Sequence, residues 1–205
     1  MATVSASSTY RGFRKQALYA LWRLLTDEDA SHRVYQPEGD EDLAIFDINN
    51  RLLQLVQVKD YSAPLTLSDF KPDSADGFFA RMHRRLITRP SCEVWIASFG
   101  QIGPELATAI AAPGPVRTTV AKKLAAKGAS IPAAAFEDLV AGLHGRVVHP
   151  NETVLRNDIQ RALAPTMAGV HGDTALELLL FWILLRRGKP YEVYRRIFGG
   201  GLFDT

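Results

Sequence analysis

Three polar side chains in the first third of the chain have the types and spacing for phosphodiester chemistry. Gln57 and Lys59 lie two residues apart at the end of the apolar run Leu52-Leu53-Gln54-Leu55-Val56-Gln57-Val58. In an extended strand they therefore share a face. Asp42 immediately precedes a second apolar run, Leu43 to Ile48, which reads as the hairpin partner of the first through a polar turn at Asn49-Asn50. That puts an acid, an amide and a lysine at the open end of one hairpin.

Hydrolysis of a phosphodiester needs an activated water and neutralisation of the charge that builds on pentacovalent phosphorus, and a hard cation held by oxygen ligands does both. On this reading Asp42 is the main carboxylate ligand of Mg²⁺, with Mn²⁺ able to substitute, and Gln57 adds an amide oxygen or holds one of the ion's waters. The carbonyl of Val58 completes the protein's share. Lys59, a compact point charge, contacts the attacking water and a phosphate oxygen. Each residue alone has a plainer explanation, since acidic turns before strands are common and a lysine at a strand end can snorkel into solvent. Their combination in this order is what suggests a site.

The elements that must position these residues follow from periodicity. Phe13, Ala17, Leu18, Leu21, Trp22, Leu24 and Leu25 recur at helical spacing, predicting an amphipathic first helix over Gly12 to Leu25, closed by Asp27-Glu28-Asp29. Apolar residues on both parities of the run at 52–58 predict a strand covered on both faces. Further along, the pattern predicts a helix within Asp69 to Leu86, a buried strand at Glu93 to Phe99 and a helix at Gly103 to Ala111.

After the break at Ala112-Pro113-Gly114-Pro115 the chain reads as helical: Val120 to Lys127, Ala133 to Leu143, Glu152 to Leu163, Thr174 to Arg187 and Tyr191 to Phe198. Arg146-Val147-Val148 is the one candidate strand there. The expected class is α/β, an α-β-β-α-β-α core at 1–112 followed by a helical extension at 113–205 packed on it. Gly199-Gly200-Gly201 reads as an exit towards a further module.

Composition bounds the function. The chain has 205 residues, 47% of them hydrophobic, and a formal net charge of +2. This is enough apolar material for a globular core and too little net charge to mark the whole surface as a nucleic-acid binder. Any basic surface must be local. The cluster Arg81, Arg84 and Arg85 with His83 and Arg89 is the candidate for gripping a phosphate backbone, with an ordinary solvated helix face as the alternative. The single cysteine, Cys92, beside an apolar stretch, is expected to be buried. MATVSASSTY lacks the pattern of a secretion signal, so a reducing cytoplasm is expected, and the most apolar segment, Ala175 to Leu185, is too short for a membrane span.

The motifs Gly12-Phe13-x-x-Gln16, Pro37-Glu38-Gly39-x-Glu41-Asp42 and Gln57-Val58-Lys59 resemble those of the Mrr-related branch of the PD-(D/E)xK superfamily. More narrowly, residues 11 to 100 are similar to the double-stranded-DNA endonuclease effector domains of bacterial anti-phage proteins, including CBASS effectors and STAND NTPases. The resemblance implies a restriction-endonuclease-like core, a mixed central β-sheet flanked by helices with a helical C-terminal tail. It also implies that Asp42 and Gln57 bind metal, that Lys59 is catalytic, and that Glu38 or Gln16 supports the site. Where the wider superfamily has a second acid this chain has Gln57, so Glu38 or Glu41 is expected to supply the missing charge. The implied partners are double-stranded DNA, further copies of the chain when activated, and a downstream sensor or NTPase module. RNA cleavage and a catalytically silent binding or assembly fold are the alternatives.

Overall fold

A computed structural model describes residues 6–37, 41–61, 63–71, 74–111, 114–126, 131–165 and 171–186. Helix α1 (Ala6–Thr26) leads into strands β1 (Arg33–Pro37), β2 (Leu43–Asp47) and β3 (Leu52–Lys59). Helix α2 (Phe78–Thr88), strand β4 (Glu93–Ser98), helices α3 (Pro104–Ala111), α4 (Pro115–Ala126) and α5 (Ala133–Gly142) and strand β5 (Val147–Val148) follow. Helices α6 (Glu152–Leu163) and α7 (Gly172–Arg186) complete the described chain. The class is α/β, and both antiparallel and parallel strand pairing occur. The chain divides into two compact units that are not successive in sequence: Met1–Asp60 with Pro150–Thr205, and Tyr61–His149.

In the first unit β1, β2 and β3 form an antiparallel meander, with Val34 opposite Phe46 and Leu43 opposite Val56. The β2–β3 turn is held by the Asp47 carboxylate, which accepts hydrogen bonds from the backbone N–H groups of Asn49 and Arg51. Asn50 takes the left-handed conformation, φ 62°, that asparagine tolerates better than most residues. A bulge follows at once: Phe46 pairs with Leu52 but Ile45 pairs with Gln54, leaving Leu53 as the extra residue. Beyond the bulge Leu55, Val56, Gln57 and Val58 are all buried, as expected of a strand covered on both faces.

Strand β1 is an addition to the sequence reading, which assigned no element to these residues. Arg33-Val34-Tyr35-Gln36-Pro37 is short and ends in proline, so its pattern alone does not distinguish strand from turn.

Helix α1 packs its Ala17-Leu18-Leu21 face inward and contacts β1, β3, α6 and α7. It begins earlier than the apolar periodicity indicated, at Ala6. Helix α6 buries Leu155, Ile159 and Leu163 at four-residue spacing and is capped by the Asn151 side chain, which accepts from Val154 N–H at 3.2 Å. An ionic network ties these helices together. Arg14 reaches Glu152 (3.2 Å) and Glu177 (2.6 Å), Lys15 meets Glu152, and Arg156 reaches Glu177 at 3.0 Å.

In the second unit the helix expected within Asp69 to Leu86 is α2, which occupies only the later part of that range. A 3₁₀ turn spans Leu67–Phe70, and α2 starts only at Phe78. Thr66 and Asp69 form a reciprocal capping box, and Lys71 at φ 48° then reverses the chain. Gly77 closes that reversal: a Cβ there would collide with the Lys71 carbonyl, so the backbone approach requires glycine. Phe70, Phe78, Phe79 and Phe136 pack together with ring centroids 5.0–5.6 Å apart.

β4 and β5 pair in parallel, Ile96 opposite Val147, and Arg146 bonds Glu93 at 3.0 Å beside that pair. Helix α4 begins at Pro115, five residues before the expected Val120, because proline suits the first turn where its missing N–H has no intrahelical partner. Cys92 is buried, 6% exposed. No helix among the described residues is long and apolar enough to cross a membrane. The expected helix at Tyr191 to Phe198 and the glycines at 199–201 lie outside the described residues.

Candidate active site

Asp42 stands one residue ahead of β2, and because the β2–β3 register pairs Leu43 with Val56, Asp42 falls opposite Gln57. Its carboxylate collects donors from two elements. From β3, the Val58 backbone N–H donates to Oδ2 at 2.7 Å, and the Gln57 side-chain amide donates to the same oxygen. From α1, Gln16 Nε2 donates to Oδ1 at 2.8 Å. The helix and the strand thus converge on one half-buried acid. Gln57 itself is only 6% exposed, unusual for a glutamine without a specific partner.

Lys59 is the last residue of β3 and is half-buried; strand alternation places it on the same face as Gln57. It is engaged in a polar or electrostatic interaction, as are Asp42, Gln57 and Glu41. Glu41 is buried, 8% exposed, next to Asp42. Beyond Lys59, Asp60 meets Arg11 Nε at 3.2 Å, so α1 and the end of β3 are pinned together a second time. Glu38 lies outside the described residues.

Two buried side-chain oxygens here have no hydrogen-bond partner among the described residues: Asp60 Oδ2, which has the Arg11 ion pair, and Gln16 Oε1. The Nε2 of that same Gln16 side chain is spent on Asp42. A buried amide oxygen without a donor costs about 1–3 kcal/mol. Such an acceptor, next to a carboxylate and a second buried amide, is a donor set that fits a hard cation: one acid and two amide oxygens. Among the described residues no group of three or more His, Cys, Asp and Glu side chains is assembled, so the fit rests on Asp42 with the amides Gln16 and Gln57.

The predicted site residues within the described chain fall into two groups. Asp42, Gln57 and Val58 are brought together directly, joined by Gln16, and Lys59 shares the strand face. Val58 enters through its N–H, which binds Asp42; the sequence reading used its carbonyl, and only the strand register distinguishes the two. Arg81, Arg84 and Arg85 lie on α2 in the other unit. Arg81 donates to the Asp76 carbonyl and Arg84 to the Ala75 carbonyl at 2.7 Å, so both tie down the loop ahead of their own helix. Arg84 remains exposed, Arg81 and Arg85 half-buried. The Arg11–Asp60 pair was not singled out from the sequence; no spacing rule links a helix start to a strand end 49 residues later.

No family model matches the chain, and no curated protein matches it.

Proposed function

We propose that the chain is a metal-dependent endonuclease with a restriction-endonuclease-like core of the PD-(D/E)xK type, hydrolysing phosphodiester bonds of double-stranded DNA. The observation that carries this reading is the convergence of Gln57, Val58 N–H and Gln16 on Asp42, with Lys59 on the same strand face and, beside them, a buried amide oxygen that has no hydrogen-bond partner among the described residues.

Asp42, Gln57 and Gln16 would hold Mg²⁺ or Mn²⁺, which when bound supplies Lewis-acid charge to a phosphate oxygen. The chain's own residues supply the rest. Gln16 and the Val58 N–H fix the Asp42 carboxylate in one orientation, which removes the need to order it during reaction. Lys59 offers a positive charge and protons to a phosphate oxygen and orients the attacking water. Arg84, exposed on α2, and its neighbours Arg81 and Arg85 are the proposed backbone-phosphate contacts. We further propose a cytoplasmic effector role in bacterial anti-phage defence, with a sensor or NTPase module attached. That part rests on the motif resemblance alone.

The test is incubation of supercoiled plasmid with purified protein and Mg²⁺, wild type against Lys59→Ala. Cleavage by the wild type that is lost in the variant and in EDTA is the expected result. Absence of cleavage with retained DNA binding would instead support a silent binding module, and cleavage of RNA but not DNA would redirect the substrate assignment.

A further inference from the structure

The stretch of α1 from Arg11 to Gln16 is held differently from the stretch that follows it. Ala17, Leu18, Tyr19, Ala20 and Leu21 are all buried, whereas none of residues 11–16 is. Apolar packing therefore stops one residue short of Gln16. Such packing is also non-directional, so it does not by itself aim the Gln16 amide at Asp42. Polar bonds locate this stretch instead: Arg11 to Asp60, Arg14 to Glu152 and Glu177, Lys15 to Glu152, and Gln16 to Asp42. Arg14, Lys15 and Gln16 are consecutive, within an axial rise of about 3 Å, so a shift of the first two carries the third with them.

Glu152 is the acid that Arg14 and Lys15 share. It stands in the first turn of α6, which is anchored by buried Leu155, Ile159 and Leu163, and Arg156 one turn on approaches it at 3.9 Å. The Lys15 side chain is only 15% exposed, so its pair with Glu152 is less screened than an ordinary surface pair. The Lys15 hydrogen bond, with the charges of Lys15, Arg14 and Arg156, outweighs burial and holds the Glu152 carboxyl below its usual range.

We infer that Glu152 is a positioning residue for the Asp42 cluster: through Lys15 and Arg14 it fixes the turn of α1 that sets Gln16 against Asp42. The seating of α6 on α1 is thereby felt at the acid. The structural linkage stands apart from the nuclease reading, and only its catalytic consequence rests on that reading. A second α1–α6 bond supplies the control. Trp22 Nε1 donates to Asp158 Oδ2 at 3.3 Å, six residues beyond Gln16, so its loss loosens the same two helices away from the Gln16 turn.

The test reads the Gln16 side-chain amide in ¹H–¹⁵N spectra of the full 205-residue chain, assigned by its loss in Gln16→Leu. Glu152→Gln and Lys15→Met should each move these signals towards the exposed-glutamine position and speed their hydrogen exchange about tenfold. Lys15→Arg, which keeps the charge, should leave them near wild type, and so should Asp158→Ala. Signals unmoved by both Glu152→Gln and Lys15→Met overturn the inference. So does an equal movement in Asp158→Ala, which would mean general loosening of the helix pair. In plasmid cleavage Glu152→Gln should lower kcat about tenfold and leave KM near wild type, because a displaced Gln16 disturbs the orientation of Asp42 and not the contacts to DNA. A wild-type kcat in that variant overturns the positioning role. Signals that move as expected in a chain whose wild type does not cleave sink the nuclease reading and support the linkage.

Discussion

Helix α1 contributes partners to two half-buried acids, one beside its middle and one at its C-terminal end, and the two clusters are built differently. Near the C-terminal end, Asp27 accepts from Tyr35 Oη at 2.6 Å, from Arg33 at 2.7 Å, from Arg23 at 3.4 Å and from the Asp29 N–H at 3.1 Å. Burial by itself would raise the Asp27 pKa. The tyrosine, the Asp29 N–H and the two guanidiniums outweigh it and hold the carboxyl below its usual range. Burial, with Asp27 adding to it, pushes the Tyr35 hydroxyl far above the usual phenol value.

Earlier in α1, Asp42 meets the amide groups of Gln16, Gln57 and Val58, and the Gln16 oxygen beside it has no hydrogen-bond partner among the described residues. The Asp27 cluster is closed, each described group answered by another. The Asp42 cluster has an acceptor to spare. Closed networks hold folds together, and an incomplete one is where a ligand can contribute.

The comparison breaks most sharply in activity. Asp42→Ala and Lys59→Ala should each lower plasmid cleavage by about a thousandfold or more with the domain still folded; Lys59→Ala should unfold near wild type, whereas Asp42→Ala also loses some stability because Gln16, Gln57 and the Val58 N–H lose their acceptor. If either variant cuts normally, the Asp42 cluster is no more chemical than the Asp27 one. The opposite pattern is expected of Asp27→Ala: cleavage follows the folded fraction, and stability falls by about 2–4 kcal/mol because Arg33, Arg23 and Tyr35 lose a shared, largely buried acceptor. Urea unfolding of both variants side by side measures the contrast.

A smaller effect concerns acid. The folded-state pKa of Asp27 lies below the unfolded value, so its stabilisation is present above the unfolded carboxylate pKa and is lost as pH falls through the folded one. Asp27→Asn should therefore lower stability at neutral pH and flatten its decline below about pH 4. Urea midpoints of wild type and variant that stay the same distance apart from neutral to acid pH would remove Asp27 from the acid limb.

Much of this was legible beforehand where local pattern and tertiary demand agree. The hairpin at 43–59, the helices at 133–142 and 152–163 and the strand at 93–98 are set by apolar periodicity and turn residues, and they stand within a residue or two of where the sequence put them. The site's two chain-local members, Gln57 and Lys59, were legible for the same reason. Strand β1 was not, because five residues ending in proline carry too little pattern. The break before α2 was not, because it depends on Lys71 turning left-handed against Gly77. Nor was the closed Asp27 network, whose members become neighbours only once β1 lies beside α1.

The finest distinction between the two clusters rests on Gln16. Replacing it with leucine deletes a donor to Asp42, a loss of about 1.5–3 kcal/mol for a hydrogen bond to a charged group, and also deletes the buried orphan oxygen, which relieves about 1–3 kcal/mol. The terms oppose, so Gln16→Leu should leave stability within about 1 kcal/mol of wild type, unlike any deletion in the Asp27 network. Gln16→Glu separates the readings further. A second carboxylate against Asp42 repels it, so this variant should melt below wild type in EDTA. If the cluster takes a hard cation, Mg²⁺ or Mn²⁺ should raise the melting temperature of Gln16→Glu by more than that of wild type, because the ion binds the folded state and answers the added charge. Equal or absent metal shifts in the two proteins would place the Asp42 cluster alongside the Asp27 cluster as a structural clamp.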